Sequence, residues 1–313
     1  MKFYTISPIG VPPDPNIFPT FVTEFEKQGH SFVNSIDEAD VVFFDFHSGL
    51  FNYDWSIIGE VIAKKKPVIS FDSLDHWSGN GEIGENVYDL NNLPLEKHWA
   101  KALHLFIQQD LLKVVFMRKM SKAISYPPYV YPLELFQYPN CDFPATTMDE
   151  LFSRPYDFCF IGNLCEFRKN MVASLIQYFK VDYYHSEKRI PHNEWLDRHR
   201  KAKFFIECGG GGITGGGFGS ERVYQLITIA PMLRLHTEQL ILNDFIDGDD
   251  CLEILDPIGI VSWNDVEKIK SVLNDKEKIY SIYLAGIEKM HKYFNQTYRS
   301  QFVLSTLHQE GIL

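Results

Sequence analysis

The 313-residue sequence is poor in cysteine and lacks any pattern that would pair the cysteines it has. Its five cysteines are odd in number and scattered, with no CxxC motif and no Cys/His pair at the spacing of a zinc site. These absences argue against a disulfide scaffold or a zinc module, and they indicate reduced thiols in a cytosol.

Long apolar runs are also missing. No window reaches the roughly 18 apolar residues that a membrane-spanning helix requires. Residues 1–7 enter a strand-like segment without the basic region and apolar stretch of an export signal. We therefore expect a cytoplasmic protein with no membrane span.

Positive charge is scarce as well. The 30 lysines and arginines stand against 41 aspartates and glutamates, which gives a formal net charge of −11. Such a chain has no overall attraction for nucleic-acid phosphates or anionic membranes. DNA binding would need a local basic face, for which residues 64–66 and 117–122 are the candidates.

What the sequence has is the composition of a folded protein of about two domains. Hydrophobic residues make up 45% of the chain and aromatic residues 15%, which is too much for a disordered chain. Strand-like and helix-like segments alternate along both halves, as in parallel α/β sheets.

The predicted elements divide into two groups around a stretch rich in proline and tyrosine at 126–144. In the first group we predict strands at 2–7, 31–33, 40–46 and 67–71, and helices at 20–28, 57–65 and 103–121. In the second we predict strands at 156–162, 181–184, 202–208 and 231–235, and helices at 169–179, 194–201, 221–228, 266–273 and 276–302. The predicted fold is α/β, with two Rossmann-like domains, 1–145 and 146–313, facing a central cleft.

The most unusual segment is the glycine run GGGGITGGGFG at 209–219, between a predicted strand and a predicted helix. Glycines such as Gly215, Gly216 and Gly217 let backbone N–H groups approach an anion, and Ser220 stands where the helix N-cap is expected. No lysine follows as in a Walker motif, and the run is not a clean dinucleotide fingerprint. We interpret it as a diphosphate or carboxylate site, with a flexible surface loop as the alternative.

The helix after the glycine run begins Ser220-Glu221-Arg222 and continues to Gln225. Arg222 and Gln225 are one helical turn apart, so they share a face of the first turns. A guanidinium can bind a diphosphate with two hydrogen bonds, and an amide can bind ribose hydroxyls. The alternative is a surface ion pair and a solvated amide.

The run from 156 to 302 resembles the C-terminal domain of GT-B glycosyltransferases, especially the CgeB/YkvP-like relatives of glycosyltransferase group 1. Phe160-Ile161-Gly162-Asn163 matches an F-x-G-N-like turn, Gly219 to Gln225 matches part of G-x-R-x-F-E, and HKYFNQTYR at 291–299 is similar to the closing helices. The resemblance implies a GT-B enzyme that moves a sugar from a nucleotide-sugar donor to an unidentified hydroxyl of a glycan, lipid or small molecule. It implies no metal and no cofactor besides the donor.

The same resemblance implies roles for individual residues. Gly162 and Asn163 would lie at the cleft, Arg168 would reach the donor phosphates, and His185 would lie where the donor base binds. The alternatives are a simple turn, a surface arginine and a loop histidine. Glu221 joins Ser220, Arg222 and Gln225 as donor-binding candidates. Gln225 departs from the family, which usually has a glutamate there, so donor choice or activity is in question.

The catalytic base is expected in the first half, at the ends of predicted strands. Asp72 is the first candidate, Asp75 and His47 are the next, and His76 and Asp45 are further candidates. An aspartate after a strand is often only a helix cap or turn former. A retaining enzyme needs no such base, and inversion and retention are both open.

Two other functions remain open. The phage DNA glucosyltransferases, which act on hydroxymethylated bases, are similar in layout and have an arginine-x-x-glutamate turn in the same place. An inactive nucleotide-sugar-binding module is the second alternative, because Gln225 replaces the usual glutamate.

Overall fold

A computed structural model describes residues 1–7, 18–46, 52–72, 98–117, 128–133, 146–162, 166–185, 190–208, 221–236, 247–256, 258–293 and 296–313. The chain divides into two compact units. The first comprises Met1–Met120, Ile124–Gln137 and Gln296–Leu313, and the second comprises Tyr138–Asn295 with Ser121–Ala123.

The first unit is a parallel sheet with helices on both faces. Its elements up to residue 132 are β1 (Lys2–Ile6), α1 (Phe18–Lys27), β2 (Ser31–Phe32), β3 (Val41–Phe46), α2 (Trp55–Ala63), β4 (Val68–Asp72), α3 (His98–Gln108), β5 (Leu112–Met117) and β6 (Val130–Pro132). The strand order is β2-β1-β3-β4-β5-β6, and each neighbouring pair is parallel.

The predicted helix at 103–121 is wrong beyond residue 108, because Leu112–Met117 forms β5. The segment LKVVFM is largely apolar and has adjacent valines. Val115 is buried on one face of the sheet, and Val114 and Phe116 are buried on the other. Such a run cannot be assigned to helix or strand by periodicity alone. Its pairing with neighbouring strands makes the segment a strand, since β5 pairs with both β4 and β6.

Successive side chains of β3 point alternately to the two faces of the first sheet, and both faces are buried. Val42 and Phe44 point to the face covered by α2 and α3, whereas Val41 and Phe43 point to the opposite face. Phe25 of α1 packs on that second face, with its ring centroid 6.0 Å from that of Phe43. The nearly continuous apolar sequence of β3 is thus explained by burial on both sides.

The second unit is another parallel sheet, with strand order β11-β10-β9-β7-β8. Its elements are α4 (Met148–Phe152), β7 (Tyr156–Gly162), α5 (Glu166–Ile176), β8 (Val181–His185), α6 (His192–His199), β9 (Ala202–Glu207), α7 (Glu221–Leu226), β10 (Met232–His236), β11 (Leu252–Leu255), α8 (Trp263–Leu273) and α9 (Lys276–Tyr293). The predicted alternation is confirmed, and β11 is a strand that the sequence patterns missed.

The last helix, α10 (Gln296–Gln309), belongs to the first unit. Val303 and Leu307 are fully buried against the face that also carries Phe25. Thr297 donates a hydrogen bond to Glu24 at 3.0 Å, and the Tyr131 hydroxyl donates one to Glu310. The predicted division at residue 145 placed this helix in the second half, whereas its buried contacts are with the first unit. None of the described helices is both long and apolar enough to cross a membrane.

Leu307→Ala tests the attachment of α10. We expect it to lower the free energy of unfolding by about 2–5 kcal/mol, because a fully buried leucine leaves a cavity in a packed core. Urea unfolding of the whole chain measures this. Gln301→Ala, at an exposed position of the same helix, is the matched control, and an equal loss in both variants would contradict the packing described.

Candidate functional site

The carboxyl ends of the strands in the second unit gather the segments predicted to bind the donor. β7 ends at Gly162 and β8 at His185, and these two residues are partners in the parallel register. β9 ends at Glu207, and Cys208 leads from it to the glycine run. Because parallel strands end at the same edge of a sheet, three of the predicted segments start from one edge.

The described residues differ in their exposure at this edge. Gly162 is buried, whereas the side chain of His185 is exposed. Asn163 follows Gly162 and lies outside the described residues, as do Gly215, Gly216, Gly217 and Ser220. Their predicted roles stay predictions.

Arg168 lies in the first turn of α5, as predicted, but it is not a surface arginine. Only 8% of the residue is exposed, and its guanidinium carbon lies 5.9 Å from the centroid of the Phe160 ring. Phe160 belongs to β7, two residues before Gly162. The cation is therefore placed beside the strand end that carries the predicted turn, in contact with an aromatic face.

The helix α7 begins at Glu221, which agrees with the predicted start, and it ends two residues earlier than predicted. Val223 and Leu226 are buried and anchor it to the unit, while Gln225 is exposed. The helical backbone places Arg222 and Gln225 one turn apart. The side chains of Glu221 and Arg222 lie outside the description.

The predicted catalytic residues belong to the first unit. Asp72 is the last residue of β4 and pairs in register with Phe46 and Met117, so its predicted position at a strand end is confirmed. Asp45 lies within β3. The side chains of both are outside the description, and His47, Asp75 and His76 are outside it entirely. Their roles stay predictions.

A row of buried charges crosses three strands of the second sheet, and sequence reasoning missed it. Arg234 of β10 is in register with Glu207 of β9 and with Glu253 of β11. Arg234 is 4% exposed and Glu207 1%. The Arg234 Nη1 atom lies 3.8 Å from the Glu253 Oε1 atom. Register partners in a parallel sheet point to the same face, so one cation lies between two carboxylates.

A second buried ion pair adjoins this row. Asp250 is 4% exposed and pairs with Lys289 of α9. Burial raises the pKa of the Cys251 thiol, and the nearby Arg234 opposes that shift to a smaller extent. A protonated, fully buried thiol is a structural side chain and not a nucleophile.

The sequence contains a pattern that indicates this row of charges. Glu207, Arg234 and Glu253 lie in the short, largely apolar strands AKFFIE, MLRLH and LEIL. A charge inside an apolar strand is costly unless it is paired. Charges of opposite sign within three such strands therefore indicate that the strands pair these charges with one another.

The acidic residues of the turn at 247–250 form local hydrogen bonds and ion pairs. Asp247 accepts a hydrogen bond from the Glu253 amide at 2.9 Å and pairs with Lys268, while Asp250 pairs with Lys289. Across the described part of the chain, no group of three or more histidine, cysteine, aspartate or glutamate residues is placed to hold a metal ion.

No protein-family model matches the sequence, and no curated protein matches it significantly. Among solved structures, the chain is similar to Anabaena Alr3699/HepE in complex with UDP and glucose, with a TM-score of 0.53 and 10% identity over 99% of this chain and 100% of that chain. An alpha-glucosyltransferase in complex with UDP-glucose and DNA containing an abasic site has a TM-score of 0.48 and 8% identity, with 98% of each chain covered. At such identities the likeness concerns the fold, and the first of these structures supports it. The predicted α/β fold of the GT-B type, with two parallel-sheet domains, is confirmed.

Arg234→Met tests the buried row. We expect it to lower the free energy of unfolding by about 3–5 kcal/mol, because it leaves buried carboxylates without their cation. Urea unfolding measures the loss, and Arg200→Met is the matched control. Arg200 pairs with Asp197 at 2.9 Å on the surface, where the two side chains are 51% and 62% exposed. A surface pair of this kind contributes about 0–1 kcal/mol. Equal effects of the two substitutions would contradict the network.

Proposed function

We propose that the chain is a glycosyltransferase that moves a sugar from a nucleotide-sugar donor, of which a UDP-sugar is the first to test, to a hydroxyl acceptor. The observation that supports this most is the convergence of Gly162, His185 and the start of the glycine run at one edge of the second sheet. The fold likeness to a protein whose structure contains UDP and glucose adds support for the donor class.

The second unit is proposed to bind the donor. The N–H groups of Gly215, Gly216 and Gly217 and of the Ser220 region bind the diphosphate, since glycine allows the backbone to approach an anion closely. Arg222, with Arg168 in support, balances the charge of the phosphates. Gln225 binds the ribose hydroxyls, and His185, Gly162 and Asn163 border the donor base, with Glu221 beside the ribose.

The proposed chemistry requires stabilisation of the departing diphosphate, because glycosyl transfer passes through an oxocarbenium-like state. Arg222 and the backbone N–H groups supply it in our proposal, without a metal or a cofactor. If the enzyme inverts, Asp72, Asp75 or His47 takes the proton from the acceptor hydroxyl.

A thermal-shift titration of the purified protein with UDP-glucose, UDP and other nucleotide sugars tests the donor site. At a ligand concentration of 100 times the Kd, binding adds about 2.7 kcal/mol of stability and raises the Tm. We expect one nucleotide to raise the Tm of the native chain, Arg222→Ala to abolish that rise, and Arg200→Ala to retain it.

Absence of a rise with every nucleotide would contradict the proposed donor site. A rise that Arg222→Ala leaves intact would place the donor elsewhere. Donor binding without release of UDP, in the presence of a panel of hydroxyl acceptors, would support the inactive binding module.

Two of the three lysines on the first candidate face for DNA, residues 64–66, already make local contacts. Lys64 pairs with Asp37 at 2.5 Å and with Glu60, and Lys66 donates a hydrogen bond to the Ala39 carbonyl at 2.6 Å. These ammonium groups are therefore engaged by the protein's own oxygens. Residues 118–122 of the second candidate face lie outside the described residues.

We therefore expect no gel shift of duplex DNA containing 5-hydroxymethylcytosine at about 0.15 M salt, because counterion release requires free cations on the protein. The same measurement at lower salt, with unmodified duplex as the control, checks for non-specific binding. A shift specific to the modified duplex that weakens with salt would favour the DNA glycosyltransferase instead.

A further inference from the structure

Two helices of the first unit begin at the sheet edge where the proposed catalytic strands end. α2 follows β3 and α3 follows β4, and both helices pack on the same face of the sheet through residues such as Val61 and Phe106. A crossover helix returns from the carboxyl end of one parallel strand to the start of the next. The first residues of α2 and α3 therefore lie at the edge where β4 ends with Asp72.

Trp55 is the first residue of α2, and the residues around it hold it in place. Tyr53 is 1% exposed and packs on Phe44 with ring centroids 5.0 Å apart. Asp54 caps the helix by accepting a hydrogen bond from the Ser56 amide at 2.9 Å. Trp55 nevertheless stays 38% exposed, so a large apolar ring is presented to solvent from a fixed backbone.

His98, the first residue of α3, stands beside this indole. The two ring centroids are 5.8 Å apart, and the ring planes differ by 42°. The Nδ1 atom of His98 is buried and has no hydrogen-bond partner among the described residues. An imidazole has two ring nitrogens that can form hydrogen bonds. Because Nδ1 is buried, Nε2 is the nitrogen that could bind a ligand.

An exposed aromatic ring with one polar group beside it is the pattern of a small-molecule site, in which the ring supplies contact area and the polar atom fixes orientation. Ordinary core packing does not explain the pair, since the indole is partly in water. Helix capping does not explain it either, because Asp54 already caps α2.

We propose that Trp55 and His98 form part of the acceptor subsite, and that the acceptor carries a sugar or aromatic ring with a hydroxyl group. The ring stacks on the Trp55 indole. His98 Nε2 forms a hydrogen bond with a hydroxyl of the acceptor, as donor or acceptor according to the tautomer of the ring. This inference rests on the proposed glycosyltransferase function. His98 acts here as a residue that positions the hydroxyl, while the proton acceptor remains among Asp72, Asp75 and His47.

The binding test uses 4-nitrophenyl β-D-glucoside as the probe, titrated calorimetrically into the donor-free native chain. We expect binding that Trp55→Ala weakens about tenfold and Trp55→Phe largely restores, since a smaller aromatic ring still stacks. His98→Ala weakens it as well. His104→Ala is the matched control, because His104 lies on the same helix α3, almost two turns further on, and its variant should bind like the native chain. No binding by the native chain, or equal binding by native and Trp55→Ala, overturns the subsite.

The kinetic test measures transfer from UDP-glucose to the same probe. We expect Trp55→Ala to raise the KM for the probe about tenfold with little change in the KM for UDP-glucose, and His98→Ala to lower kcat as well because the hydroxyl is misplaced. Unchanged constants in both variants overturn the assignment. Failure of the proposed function is seen separately: the probe still binds at Trp55, but UDP-glucose does not bind, or both ligands bind and no sugar is transferred.

Discussion

Parallel strand pairing is the constraint on which the rest of this structure depends. Every neighbouring pair of strands in both sheets is parallel, so the chain must cross back over the sheet between paired strands. The crossovers place helices on both faces and bury the strands, and they bring all carboxyl ends to one edge in each unit. Gly162 and His185 are neighbours in one unit for this reason, and in the other unit Asp72 and the starts of α2 and α3 lie at the same edge of the sheet.

The two candidate binding edges use different chemistry. In the second unit the candidates are backbone N–H groups, guanidinium groups and an amide, which suit a charged diphosphate and a ribose. In the first unit, Trp55 and His98 offer an aromatic face and an imidazole, which suit an uncharged ring with a hydroxyl. Under the proposed function, the first set of groups suits an anionic donor and the second an uncharged acceptor.

Glu207, Arg234 and Glu253 lie in register at the edge of the second sheet from which the glycine run starts. Removing these charges from water is costly, and mutual attraction offsets the cost only when the partners stay in place. Glu207 is the last residue of β9 before Cys208 and the glycine run. The registers of β9, β10 and β11 therefore bring all three charges to one face of the sheet, where the glycine run begins.

Local pattern was enough for much of the fold. Hydrophobic periodicity, glycines and neighbouring turn residues predicted three features that the structure confirms. These are the apolar strand YDFCFIG, the helix start at Glu221 and the strand end at Asp72. These features depend on residues close together in the chain, so the sequence by itself determined two parallel α/β units and the segments at their edges. Only the tertiary structure decided that 112–117 is a strand, that Arg168 is buried on Phe160, that α10 packs on the first unit and that Trp55 meets His98. Each of these depends on contacts between residues distant in sequence, and neither propensity nor period reports which distant side chain will fill a given face.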